Sequence, residues 1–136
     1  MRYMGIDYGD ARVGVALSDP LGMMAQRFAT LTNTGGKKLF EQLAQIIEDK
    51  QVGHIVIGLP KNMDGSEGFR AEATYAFAER LRTYTDAELS FWDERLTTVA
   101  AQGYLSELNV RGKKRKDAVD AVSAELILEG YMDSLR

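Results

Sequence analysis

Four acidic positions in this chain sit where local structure has little use for them. Asp7 closes the apolar run "MGID", in strand-like sequence that normally disfavours Asp. Asp93 and Glu94 follow "LSFW" directly. Consecutive strand residues point to opposite faces, so a regular strand would send only one of that pair to any one site. Asp120 lies within "DAVDAVSAELILEGYM". At about 100° per residue it falls between Ile127 and Tyr131, close to Ala124, on the apolar face near the start of a helix. A lone carboxylate there is costly unless it is paired or bound to a metal. Simpler readings exist for each. Asp7 would close a turn, although Asp10 is better placed for that. Glu94 would sit near the positive end of the next helix. Asp120 would bond free backbone N–H groups, and Asp117 is more simply a cap.

Acids clustered without Cys, in a chain with one His, suit a hard cation such as Mg²⁺ or Mn²⁺. Two such ions activate a water and stabilise the leaving oxygen in phosphodiester hydrolysis. An anionic substrate also needs cations. Arg111, Lys113, Lys114, Arg115 and Lys116 form a dense basic run in "NVRGKKRK", just before the helix that carries Asp120. It is either a solvated charge run or a loop that contacts phosphates. Arg12 and Lys61 are weaker candidates for the same contact. His54 opens an apolar strand and reads as structural, so no Ser-His or Cys-His nucleophile pair stands out.

The elements that must position these groups are legible in outline. Residues 2–8 and 12–18 read as strands joined by the Gly-Asp turn in "YGDA". Gly5 and Gly9 would keep side chains out of the space beside Asp7. A weaker strand covers residues 25–32. Asn33 or Thr34 then caps a helix carrying Leu39, Phe40, Leu43, Ile46 and Ile47, which Gly53 ends. "HIVIGLP" is apolar throughout, as in a strand buried on both faces of a parallel sheet. "KNMDGSEG" is a polar loop. A helix over residues 66–83 turns Phe69, Ala73, Ala76, Phe77 and Leu81 inward. "ELSFWDE" is the fifth strand. Thr97 or Thr98 starts a helix through Leu108. The last helix begins near Asp117, after a mobile loop over residues 109–116. An antiparallel meander followed by αβ units means one mixed sheet with helices on its faces. In such a sheet ligands bind beyond the carboxyl ends of the parallel strands, where Asp7, "GLPKNMDG" and Glu94 fall.

With 136 residues the chain has room for one domain, 1–136, and not for two. No apolar run reaches the ~20 residues of a membrane span, and the N-terminus lacks the marks of a signal peptide. The absence of cysteine fits a reducing cytoplasm. A net charge of −3 means that nucleic-acid binding must rely on a local basic patch.

"GIDYGDARVGVA", "IVIGLPKNMDGSEG", "DERLTT" and "DAVDAVSAELIL" occur in the order and spacing of the YqgF (RuvX) family, which the chain resembles over nearly its whole length. The resemblance implies a ribonuclease H-like fold similar to Holliday-junction resolvases. It also implies a metal-dependent nuclease that matures precursor 16S rRNA in bacteria, acting with ribosomal particles. The family's first-strand acid falls on Asp7, its fifth-strand glutamate on Glu94 and its last-helix aspartate on Asp120. Its arginine after the first glycine turn falls on Arg12. Three other readings remain. One is a binding module that assists ribosome assembly with little catalysis. Another is a resolvase acting on branched DNA. The third rests on "GIDYG", which also resembles the phosphate loop of actin-like ATPases and sugar kinases, but those need a second domain.

Overall fold

The computed structural model describes residues 1–96 and 112–136, with side chains of the last helix described from Asp120 onward. Strands β1 (Arg2–Tyr8) and β2 (Arg12–Ser18) pair antiparallel around a turn in which the Gly9 N–H donates to the Arg12 carbonyl at 2.9 Å. β3 (Ala25–Thr32) adds antiparallel to β2. Helix α1 (Lys37–Asp49) leads to β4 (Val52–Leu59), which lies parallel to β1. Helix α2 (Phe69–Leu81) leads to β5 (Glu88–Asp93), parallel to β4. A 3₁₀ turn (Glu94–Leu96) follows, and helix α3 (Gly112–Ser134) closes the described chain. The strand order is β3-β2-β1-β4-β5, the mixed sheet expected from a meander followed by αβ units. The helix expected between Thr97 and Leu108 lies outside the described residues. Among the described residues no helix is long and apolar enough to cross a membrane.

One face of the sheet is packed with large side chains. Met4, Ile6, Val13, Val15, Ile55 and Ile57 meet Leu39, Phe40, Leu43 and Ile47 of α1, and Phe77, Ala78 and Leu81 of α2. Each fully buried Leu or Ile stabilises by about 1.5–3 kcal/mol. Among the described residues the other face carries α3, through Ala124, Ile127, Leu128 and Met132 against Ala16 and Val56. Here the strands present glycine. A Cβ on Gly5 would lie 2.6 Å from the Ala124 carbonyl oxygen, and one on Gly14 only 2.0 Å from that of Asp120. Glycine inside a strand marks such a close approach of another backbone. At the far end of α3, Gly130 lies against the indole of Trp92, 3.0 Å from where its Cβ would be.

Several expected boundaries move. No side chain caps α1, whose first flanking residue is Gly36. Asn33 instead ties the loop to the β1–β2 turn, donating to the Gly9 carbonyl at 2.7 Å and accepting from the Gly35 N–H at 2.9 Å. Its local bonds serve the loop rather than a helix start. Gln51, with φ of 54°, makes the left-handed exit from α1, so Gly53 belongs to β4. α2 starts at Phe69, not Ser66, and its buried stripe is Ala71, Thr74, Phe77, Ala78 and Leu81. Phe69 is 78 % exposed. Its size suggested an inward position, but five residues before Thr74 it lies about 140° round the helix from it and falls off the stripe. α3 begins at Gly112, so residues 112–116 are helix and not loop. Lys and Arg are good helix formers, and nothing after Gly112 breaks the run.

Candidate active site

Asp7 pairs with Gly14 across β1–β2, and one residue beyond the Ile6–Ile57 pair on the other side lies Gly58. Side chains alternate, so Asp7 points to the same face as Gly5, toward α3. Its carboxylate therefore leaves the sheet with no side chain on either neighbouring strand. The other two acids enter the spaces at Gly14 and Gly58, the latter shared with Ile127. At Gly14 the main chain of Asp120 rests on the sheet. At Gly58 a Cβ would collide first with Ile127 Cδ1 of α3, and would lie 2.8 Å from Glu94 Cγ and 3.0 Å from its Oε1. Thus Gly14 and Gly58 flank Asp7, rather than Gly5, which admits α3, and Gly9, which serves the turn.

Glu94 reaches this position because β5 ends at Asp93 and the chain tightens into the 3₁₀ turn. Asp93 is held by Arg95, whose Nη2 lies 2.6 Å from Oδ2 and whose Nε lies 3.0 Å from it. Those hydrogen bonds keep the Asp93 carboxyl below its usual range. Asp93 thereby leaves the centre to Glu94. Asp120 sits two turns into α3, not near its start. Its Oδ2 accepts from Arg12 Nε at 3.0 Å.

Burial raises the Asp7 carboxyl well above the ordinary range, and a hydrogen bond with Glu94 and the charges of Glu94 and Asp120 add to it. Arg70, in the first turn of α2, opposes the rise. The raised Asp7 carboxyl therefore holds its proton more firmly than a free one. An all-oxygen acidic donor set of this kind fits a hard divalent cation, which would replace that proton. The fit is one of donor chemistry. Among the described residues no group of three or more His, Cys, Asp or Glu is already spaced around a single ion. Asp120 is turned to Arg12, and Asp7 and Glu94 to each other.

The cations proposed from sequence are less gathered. Arg12 reaches the centre, but as partner of Asp120. Lys61 lies 4.0 Å from Glu67 and lines a cavity of about 260 Å³ with Asn62, Phe69 and Arg70. Arg111 lies outside the described residues. Lys113, Lys114, Arg115, Lys116 and Asp117 belong to the first turns of α3. Sequence reasoning missed Arg70, which follows an exposed loop without any periodic signal. It also missed the pairing of Asp7 with Gly14 and Gly58. A glycine inside each of the strands "RVGVALS" and "HIVIGL" was the available sign. His54, as expected, is structural: it stacks on Tyr3 at 5.2 Å and hydrogen-bonds Ser90 at 2.8 Å.

A five-stranded mixed sheet with helices on both faces and acids at its carboxyl edge is the ribonuclease H-like class. The fowlpox virus resolvase solved with Holliday junction DNA superposes with a TM-score of 0.61 at 11 % identity, over 99 % of each chain. RuvC of T. thermophilus, in complex with Holliday junction substrate, superposes at 0.56 with 9 % identity, over 99 % of this chain and 96 % of that one. At the level of sequence, the family described as "RuvX: Holliday junction resolvase" matches residues 1–134. The chain belongs to that family. A relative from Clostridioides difficile, named "Putative pre-16S rRNA nuclease", is 47 % identical over 97 % of this chain and 94 % of its own. A Myxococcus xanthus relative of the same name is 45 % identical over all of this chain and 90 % of its own.

Proposed function

We propose that residues 1–136 form one nuclease domain that hydrolyses phosphodiester bonds at the carboxyl edge of its sheet, with precursor 16S rRNA as substrate. The observation that carries this reading is Asp7, raised from the sheet between Gly14 and Gly58 into contact with Glu94 and beside Asp120. The substrate is taken from the names of the relatives.

Asp7, Glu94 and Asp120 would hold Mg²⁺ or Mn²⁺, which supplies an activated water and neutralises charge on the leaving oxygen. The protein's own part is positional. Gly14 and Gly58 keep the carboxylates close, and the strand end holds Asp7 more rigidly than a loop would. A bound cation would displace the proton that burial favours on Asp7. Arg12 holds Asp120 in place. Arg70, which acts on Asp7, and Lys61, which lines a cavity with Arg70, are suited to the phosphates on either side of the scissile bond, and the basic start of α3 to those further along. A cytoplasmic setting and contact with ribosomal particles follow from that substrate.

The test compares a precursor-16S rRNA fragment, a four-way DNA junction and a linear duplex, each with Mn²⁺, Mg²⁺ or chelator, with Asp7→Asn as control. Cleavage of the RNA alone, lost in Asp7→Asn, supports the reading. Cleavage confined to the junction moves the substrate to branched DNA. Tight binding without cleavage by the wild type leaves a nucleic-acid-binding assembly factor.

A further inference from the structure

At the end of the sheet away from the carboxyl edge, large apolar side chains stand in water. Leu21 is 81 % exposed, Met24 68 % and Met23 61 %, and Phe28 is exposed nearby. They are not loosely held. The Asp19 carboxylate accepts from the backbone N–H groups of Met23 and Met24, both at 2.7 Å, and of Leu21 at 3.1 Å. Gly22 takes a φ of 71° to complete the turn. This loop spends its hydrogen bonds on keeping apolar side chains outward. A patch of that kind marks an interaction surface, and methionine suits one that must adapt to a partner.

The flanks indicate the partner. Met23 and Met24 separate two cavities. One, of about 440 Å³ on the α1 side, is lined by Arg2, Arg27 and Lys50, with Asp19 as its one carboxylate. The other, of about 230 Å³ on the α3 side, is lined by Glu125, Glu129 and Asp133, with Arg136 as its one cation. Asp19 is already occupied by the loop backbone, and Arg27 joins the flanks through Glu125 at 3.0 Å. A surface with a basic flank, an apolar centre and an acidic flank is complementary to itself under a two-fold rotation, which lays each flank on its opposite. We propose that the 19–28 loop and its two flanks are the contact through which this protein pairs with a second copy of itself. The catalytic edges of the two copies then face outward, and the contact does not depend on the chemistry assigned to those edges.

The test is sedimentation of the full chain at concentrations from about 5 to 500 μM, a range suited to small interfaces. The wild type should show a monomer–dimer equilibrium. Met24→Ser and Leu21→Ser should each weaken it about tenfold or more, by losing an apolar centre counted twice in a symmetric contact. Lys50→Glu and Glu129→Lys should weaken it similarly, because each places like charges on both sides. An equimolar mixture of Lys50→Glu and Glu129→Lys should restore dimers to within about threefold of wild type, since their heterodimer pairs opposite charges at both flanks. Circular dichroism of each variant checks that the fold is intact. A wild type that stays monomeric overturns the proposal, as does a dimer that none of the variants weakens. So does a mixture no better than its components. A monomer that loses nucleic-acid retention through Lys50→Glu would also overturn it and assign the basic flank to substrate.

Discussion

The two faces of the sheet hold their helices by opposite means. Toward α1 and α2 the strands offer Met4, Ile6, Val13, Val15, Ile55 and Ile57, and stability comes from filled volume. Toward α3 they offer Gly5, Gly14, Gly58 and Ala16, and the helix comes down until its main chain meets theirs. The first face gives the sheet a foundation. The second brings Asp120 and Glu94 to Asp7, because a side chain at Gly14 or Gly58 would occupy the space they need. Packing on one side is for energy, and on the other for position.

That contrast breaks most sharply at Asp7. Asp7→Asn should lower cleavage by roughly three powers of ten, about 4 kcal/mol of transition-state stabilisation, while the circular dichroism spectrum stays that of the folded protein. Retained cleavage would remove Asp7 from the essential set. On the filled face, Leu43→Ala leaves a cavity and should cost about 2–5 kcal/mol by urea denaturation, with the activity of the remaining folded protein little changed. On the glycine face, Gly14→Ala forces the Asp120 carbonyl aside and should cost about 1–3 kcal/mol, yet lower activity far more than its stability loss explains. A Gly14→Ala enzyme as active as wild type would show that the close approach does not serve the site.

A smaller effect lies in pH. In chelator the folded protein keeps a proton on Asp7 that the unfolded chain releases at the ordinary value of about 4. Stability should therefore fall as pH rises from there toward the raised Asp7 value, by at most about 1.4 kcal/mol per unit. Asp7→Asn should flatten that stretch of a thermal-melt series, and metal affinity should rise with pH through it. A wild-type curve parallel to that of Asp7→Asn would remove the raised carboxyl. The smallest change expected is in Arg12→Gln. Its ion pair with Asp120 is partly exposed, so metal-free stability should drop by only about 0.2–1 kcal/mol.

Sequence carried the filled face more fully than the glycine face. Alternation in "RVGVALS" and the apolar "HIVIGLP" place β2 and β4, and the α1 stripe of Leu39, Phe40 and Leu43 follows from its spacing. The order of parallel strands then leads Asp7 and Glu94 to one edge. Periodicity fails where a residue's size outweighs its phase, as with Phe69 on α2. It also fails where charge is taken for disorder, as at the start of α3. What Gly14 and Gly58 do is hidden for another reason. A glycine has no side chain to pattern, and its use appears only when strands far apart in sequence are laid side by side. By pattern alone Asp93 and Glu94 are equivalent; the family resemblance chose Glu94, and the 3₁₀ turn and Arg95 give the physical reason for separating them.

The chain's single tryptophan turns one of these contacts into an optical gauge. Trp92 packs on Gly130 of α3 and lies two residues before Glu94 on β5, so its indole spans helix and strand end together. Its emission wavelength reads how dry that seam is. A titration of the metal-free protein can thus be followed by light from the native residue, with no label attached, and any lifting of α3 would register as a red shift before the molecule unfolds.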